Sequence, residues 1–436
     1  MSLFAWKDRF AGEDSEERSR RFFVLEGITG ITHLSLTSGA FLAGFVSMLG
    51  GSEQINGFIG VIPAIAAFFQ LFSSLIYEGS AHRKRAIFRT ALIYRILIAG
   101  LYLLPVALLP LGISLPVFMA MYMGAYAMNG LLAPAVSDWM VRLTPMAIRG
   151  QYFAGRERLA MLVSAVLTIL LGFVLDHAKA GPRPAAGFLV VGGVLGVLSL
   201  LNLYSLKNVS EVDRGDAVRK YTLREVVSTP LASPNFRRMM VLFALWNLGL
   251  QVGAPFIPVY MVTRLDLSYT YMMVLTVVGT VARVSVTNMW GRLADRKSWF
   301  LAAKLSMGLL ALVHFGWGFV NPGNQAVLAP LLFTANGFVW GGIGISIFNL
   351  QFLFAKSQGR ILYLGTNAAV GGLFSLLSVQ AGAWITKLLE GREVALLGLR
   401  FNNLQAVFLL SGLLLALCPL FITFFLETKA GEVERD

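Results

Sequence analysis

Cysteine is almost missing. Cys418 is the single one in 436 residues, so no internal disulfide can staple this chain, and a secreted disulfide scaffold is excluded. Charge is scarce as well. Only 14% of residues are Asp, Glu, Lys or Arg, against about 25% in soluble domains. Hydrophobic residues make up 56%, and the mean hydropathy is +0.70. A water-soluble enzyme or a disordered scaffold of this length needs polar residues that are lacking here. No metal-ligand spacing, phosphate loop or nucleophile elbow stands out, so no metal, no cofactor and no catalysed reaction are expected. The net charge of +13 would fit nucleic acid only if the cations shared a solvated face. They fall between apolar stretches instead, as membrane topology arranges them. The composition is that of an integral membrane protein.

A helix needs about 20 apolar residues to cross the hydrocarbon. Stretches of that kind lie near 22–46, 56–78, 88–110, 115–141, 159–176, 186–206, 239–262, 269–290, 299–320, 326–354, 362–386 and 404–426, which predicts twelve spans. The first contains Glu26 and His33 and is too long for a signal core, so it is read as a retained helix. Cations crowd one set of loops: Arg83, Lys84, Arg85 and Arg89; Arg142, Arg149, Arg156 and Arg158; the central loop; then Arg292, Arg296, Lys297, Lys304, Lys356 and Arg360. The other set holds Lys179, Arg183, Arg264, Lys387, Arg392 and Arg400. By the positive-inside rule both termini are expected in the cytoplasm and the chain in the plasma (cell inner) membrane.

The longest polar connection, 207–238, divides the spans six and six. The expected layout is a tail 1–21, a first six-helix bundle 22–206, the central loop 207–238, a second bundle 239–426 and a tail 427–436. A duplicated half would explain this division. The segment Gly291-Arg-Leu-Ala-Asp295-Arg296-Lys297 after the eighth span matches Ser74-Leu-Ile-Tyr-Glu78-Gly79 after the second. Asp295 falls on Glu78, Gly291 on Ser74 and Leu293 on Ile76, with bases following both acids.

The run Gly291-x-Leu-Ala-Asp295-Arg296 resembles the cytoplasmic signature loop of the major facilitator superfamily in its second-half position. Pro145-x-x-x-Arg149-Gly150-x-Tyr152-Phe153 resembles a loop common in bacterial members. With the twelve spans and the central loop, the resemblance extends over essentially the whole chain. It implies an all-α fold of twelve transmembrane helices in two pseudo-symmetric six-helix bundles, and the activity of a transporter. Glu78 departs from the pattern, since Gly79 rather than Arg follows it. The fourth span lacks the buried Arg of many proton-coupled members, and the fifth lacks the Gly-Pro pair of drug/proton antiporters, which disfavours a standard multidrug antiporter. Glu78, Gly291, Asp295 and Arg296 are expected to form a conformational latch, with Asp295 set beside a helix N-terminus or paired with a base; the bland alternative is a solvated turn.

Ionisable residues within spans are costly and are functional candidates by default. Glu26, Gly30, His33 and Thr37 share one helix face, so Glu26 and His33 are proton-coupling candidates; the alternative for Glu26 is an interfacial pair with Arg20 or Arg21. Asp138 is a third coupling candidate, with Arg142 at i+4 offering an ordinary helix-end ion pair. Arg283 needs an anion: Glu26, Asp138 or an acidic substrate. Arg95 beside Tyr94 and His314 in the ninth span read as structural contacts.

In the superfamily the cavity is lined mainly by the first, fourth, seventh and tenth helices. Through that resemblance Tyr122, Tyr126, Asn129, Asn247, Gln251, Asn336 and Trp340 join Arg283 as substrate-cavity candidates; interhelical hydrogen bonding is the competing role for each. Pro255 and Pro258 offer bending points, and the clusters Gly192-Gly193-x-x-Gly196 and Gly341-Gly342-x-Gly344 close packing or hinges. The function expected is secondary active transport of a small organic solute by alternating access, coupled to protons through the acids named. A lipid or lipid-linked substrate flippase and a non-transporting receptor or regulator are the alternatives. The expected partners are the solute, protons and membrane lipids, with no nucleic acid and a monomeric chain.

Overall fold

A computed structural model describes residues 15–427 apart from 52–54, 56–58, 60–61, 64, 81, 109, 182–184, 212–219, 268, 357 and 397–398. Residues 1–14 and 428–436 of the expected tails lie outside the described residues, as does part of the second expected span. Two compact units emerge. One is built from residues up to Met146 with Arg156–Tyr221, the other from Ala147–Gly155 with Thr222 onwards.

In the first unit the helices are α1 (Ser15–Leu36), α2 (Gly39–Met48), α3 (Ser73–Tyr77, preceded by a 3-10 turn, Ala67–Phe72), α4 (Arg83–Ala107), α5 (Leu111–Arg142), α6 (Arg149–Ala180) and α7 (Ala185–Asn208). The first seven residues' worth of α6, Arg149 to Gly155, belong with the second unit. α4 lies against both α5 and α7, and α7 against α1. Phe45, Tyr102, Phe118 and Phe188 fill one end of this unit, with Phe45 4.6, 5.0 and 4.9 Å from the other three ring centres. The first expected span is broken: α1 and α2 meet at 46°. Tyr102 donates to the Leu36 carbonyl at 2.7 Å and Tyr122 to that of Thr37 at 3.1 Å, which satisfies carbonyls that the break leaves without helical partners.

The second unit contains α8 (Leu223–Ala232), α9 (Pro234–Gly253), α10 (Ile257–Thr263), α11 (Tyr269–Arg296), α12 (Trp299–Gly318), α13 (Gln325–Phe354), α14 (Arg360–Leu388), the strands β1 (Val394–Leu396) and β2 (Leu399–Phe401), and α15 (Asn403–Phe421), which ends in a π-helical turn, Ile422–Glu427. α11 packs on α13, α12 on α15, and α9 on α14 and α15. One feature departs from the sequence expectation. The central loop holds a helix, α8, whose capping box pairs Thr222 with Glu225. A short antiparallel pair, β1 and β2, accompanies the otherwise helical fold.

Among the described residues nine helices are long and apolar enough to cross a membrane, ten if the bent pair α1–α2 counts as one. Their outer faces carry large apolar side chains such as Phe173, Leu200 and Val327, which are 69%, 69% and 73% exposed. Hydrocarbon rather than water is the solvent that suits those faces.

Candidate functional site

The second unit contains a cleft of about 380 Å³. Gln251 and Ala254 at the end of α9, Ile257 and Pro258 at the start of α10, His314 and Trp317 of α12, and Leu332, Phe333, Asn336 and Trp340 of α13 line it, together with Leu250. Proline chemistry opens this space. Pro255 and Pro258 have no N–H for the carbonyls four residues back, so α9 gives way to a 3-10 turn, Ala254–Phe256, before α10 resumes. Trp340 packs edge-on against Trp246 at 5.9 Å, and the Arg283 guanidinium stands 5.9 Å from the centre of the Trp340 ring.

Gln251, Asn336 and Trp340, named through the resemblance to the superfamily, line this one cavity. Asn247 does not join them. Its amide donates to the Phe243 carbonyl one turn back at 2.8 Å, and its side chain lies against Gly371 of α14. Tyr122, Tyr126 and Asn129 sit in the first unit. Tyr122 and Tyr126 are buried with ring centres 4.6 Å apart, and their hydroxyls face the Thr37 carbonyl and the Thr37 hydroxyl, the latter at 3.4 Å. Asn129 is exposed.

Glu26 pairs with a residue the sequence did not offer it: Arg156 of α6, at 2.6 Å. α1 starts earlier than expected, at Ser15, so Arg20 and Arg21 find acids one turn back, Glu16 at 3.7 Å and Glu17 at 3.2 Å. His33 is fully buried. Its Nδ1 meets the Thr29 carbonyl and its Nε2 the Ser199 hydroxyl at 3.0 Å. The predicted stripe is thus divided, with Glu26 bonded to α6 and His33 to α7. Between them runs a chain in which Arg95 Nε donates to Asn202 Oδ1 at 3.0 Å and Asn202 Nδ2 to Thr29 Oγ1 at 2.7 Å. Sequence reasoning missed Arg156, Ser199 and Asn202. A signal existed for the last two: with Ser205 they recur every third residue along the otherwise apolar α7.

Asp138 has no exposed surface. It binds Arg83 at 2.7 Å and Arg142 at 3.0 Å. Both carboxylates that the sequence offered to Arg283 are therefore engaged by other arginines.

At the end of α11, Asp295 accepts the Gly150 and Gln151 backbone N–H groups, each at 2.8 Å. These are orphan donors at the start of α6, and the carboxylate supplies from another helix the cap that a local side chain would give. The backbones touch here: a Cβ on Gly291 would lie 2.7 Å from the Gly150 carbonyl oxygen. Arg296 is exposed and makes no hydrogen bond or ion pair among the described residues. Glu78, its first-half counterpart's acid, is 7% exposed at the end of α3.

No family model and no curated protein matches the chain. Solved structures do. The proton:xylose symporter XylE, bound to 6-bromo-6-deoxy-D-glucose, is 16% identical with a TM-score of 0.68 over 97% of this chain and 98% of that one. A bacterial homologue of the iron transporter ferroportin in an outward-facing state gives 13%, 0.70, 97% and 100%. The E. coli fucose:proton symporter FucP gives 12%, 0.63, 94% and 97%. The chain has the major facilitator fold. At such identities the likeness is one of fold, and the cavity and the Asp295 contact stand on this chain's own residues. In this major facilitator fold, the Gly291–Arg296 run meets the start of α6 through Asp295 and Gly291.

Proposed function

We propose that this chain is a secondary transporter that carries a small organic solute across the plasma membrane by alternating access. The supporting observation is the cavity of about 380 Å³ in which Gln251, Asn336 and Trp340 converge. Its size is at the low end of the range of small-molecule sites, about 300–1,000 Å³, and a few polar groups on mostly apolar walls are the usual composition. Solved proteins of this fold are named for the transport of xylose, iron and fucose. The concentration of cations in alternate loops supports cytoplasmic termini.

Within this reading Asp295 is a latch. Its negative charge sits on the positive end of the α6 dipole, and the contact favours one of two states by about 1–3 kcal/mol. Glu26 and Arg156 form the coupling pair, since an acid held by a base can take a proton when the base withdraws.

Thermal unfolding of the purified protein against sugars, amino acids, organic anions, organic cations and lysolipids tests the reading. A ligand of the native state at 100 times its Kd adds about 2.7 kcal/mol. A stabilising solute should then enter proteoliposomes, and Gln251→Ala or Trp340→Ala should abolish that uptake. Stabilisation by lysolipids alone, with no solute exchange, overturns solute transport in favour of lipid translocation.

A further inference from the structure

One wall of the cavity in the second unit is built by a histidine. His314 of α12 is 2% exposed and lines the space. Its Nδ1 lies 2.7 Å from Ser411 Oγ, and the Ser411 hydroxyl donates to the Gly249 carbonyl. A hydroxyl has one proton. With that proton given to Gly249, Ser411 can only accept from the ring, so Nδ1 carries the imidazole hydrogen and Nε2 a lone pair. No protein group bonds Nε2 among the described residues. Nor is it among the sealed, unpartnered polar atoms of the core. His314 lines the cavity, and Nε2 is the ring nitrogen that Ser411 leaves without a bond.

The rest of the lining agrees with a site that accepts hydrogen bonds. Gln251 is a cavity residue, and the helical partner of its carbonyl would be residue 255, a proline; the Ala254 carbonyl is already taken by the Ile257 N–H. The side chains of Gln251 and Asn336 add two amide oxygens. Trp317, Trp340 and Phe333 supply flat apolar walls. No Asp, Glu, Lys or Arg lines the space among the described residues. A cationic solute would have no counter-charge there and would meet the field of Arg283, 5.9 Å from the Trp340 ring. An anion would be drawn by that same field but would meet the His314 lone pair, with only the amide and indole N–H groups to receive it.

We propose that His314 Nε2 receives a hydrogen bond from the bound solute, and that the site takes an uncharged molecule with O–H or N–H donors on one edge and a flat apolar face on the other. Ser411 acts as a positioning residue, since it fixes the tautomer that leaves Nε2 free to accept. The inference rests on the cavity being the solute site of the transport reading.

Equilibrium dialysis of the full chain in detergent tests it with four probes of one shape: naphthylethanol, its methyl ether, naphthylacetate and naphthylethylamine. The alcohol should bind about tenfold more tightly than the ether, which cannot donate, and the two charged probes more weakly than the alcohol. His314→Phe should erase the margin between alcohol and ether. His314→Gln, which offers an amide oxygen near the position of Nε2, should retain part of it, and Ser411→Ala should narrow it. These last two variants decide the matter if the Phe variant does not fold. The inference is overturned by a charged probe that binds best, by no saturable binding of either neutral probe, or by an alcohol margin that survives His314→Phe or is indifferent to both His314→Gln and Ser411→Ala. The transport reading fails separately. The predicted ranking without any solute exchange in proteoliposomes would sink transport and keep the site, whereas uptake of a charged solute that the alcohol does not inhibit would do the reverse.

Discussion

Asp295 and Gly150 are 145 residues apart in sequence, yet the carboxylate of the first receives the backbone N–H of the second at 2.8 Å. α6, which begins at this contact, continues beyond Gly155 into the other unit. Releasing Asp295 therefore frees the Gly150 and Gln151 N–H groups at the start of α6.

Asp295→Ala removes both hydrogen bonds and the charge. Gly150→Ala reaches the same end by a different route, because its Cβ would lie 2.6 Å from Asp295 Oδ1 and 2.7 Å from the Gly291 carbonyl oxygen. Both should shift the balance of states in one direction. Cys418 is buried, so a single reporter, Asn336→Cys, can be read by its rate of reaction with a thiol reagent. A change of at least about fivefold is expected in each variant, as a coupling of 1–3 kcal/mol gives. Equal rates in all three backgrounds would remove Asp295 from any role as a latch.

Glu26→Gln leaves Arg156 without the charge it meets at 2.6 Å. The expected outcome is transport that no longer responds to the pH gradient, measured as uptake with and without an imposed gradient. A variant that transports with unchanged pH dependence would place coupling elsewhere in the chain. Arg156→Gln separates the roles: it should slow uptake while leaving some response to pH, since the acid is still present.

Asp138 is held between two guanidiniums with no exposed surface. Asp138→Asn removes the charge that Arg83 and Arg142 both meet, and about 3 kcal/mol of stability should be lost. Arg142→Gln should cost less, because Arg83 keeps the carboxylate paired. Melting temperatures measured at neutral pH check the order. An unaltered melting temperature for Asp138→Asn would show that the paired charge adds nothing to stability and would restore the acid as a coupling candidate.

These particular residues also show what was legible in advance. Hydropathy located the helices because lipid demands long apolar runs whatever their neighbours, and repetition of the acid at Glu78 and Asp295 marked the loop that caps α6. Gln251, Asn336 and Trp340, which line one cavity, were named through the resemblance to the superfamily. Partner choice was not legible. Glu26 had Arg20 and Arg21 close in sequence, but α1 begins at Ser15 and turns both toward Glu16 and Glu17, leaving the acid to a helix 130 residues away. The His314 contact was hidden for a similar reason: a lone histidine in a span looks the same whether its second nitrogen is buried in packing or open to a cavity. Only the place of Ser411 decides between them.

The glycine clusters divide in a way that spacing did not reveal. On Gly192 a Cβ would lie 2.7 Å from Leu103 Cγ, whereas on Gly193 and Gly196 it would meet nothing within 4 Å. α11 and α13 are closer still: a Cβ on Gly337 would lie 1.9 Å from the Gly279 carbonyl oxygen, which is backbone and cannot rotate away. Gly337→Ala must therefore separate the two helices, and overpacking of this kind costs about 1–3 kcal/mol. Gly193→Ala and Gly196→Ala need no displacement and should leave the melting temperature within about a degree of the parent, since surface changes away from contacts stay within about 0.5 kcal/mol. Because Trp340 lies on α13 less than one turn beyond Gly337 and Arg283 on α11 one turn beyond Gly279, the same separation should pull apart the 5.9 Å contact between that guanidinium and that ring. Gly337→Ala is thus expected to weaken solute binding as well as stability, while the two α7 variants change neither. Equal melting temperatures for Gly337→Ala and Gly193→Ala would mean that the α11–α13 approach is looser than the carbonyl contact implies.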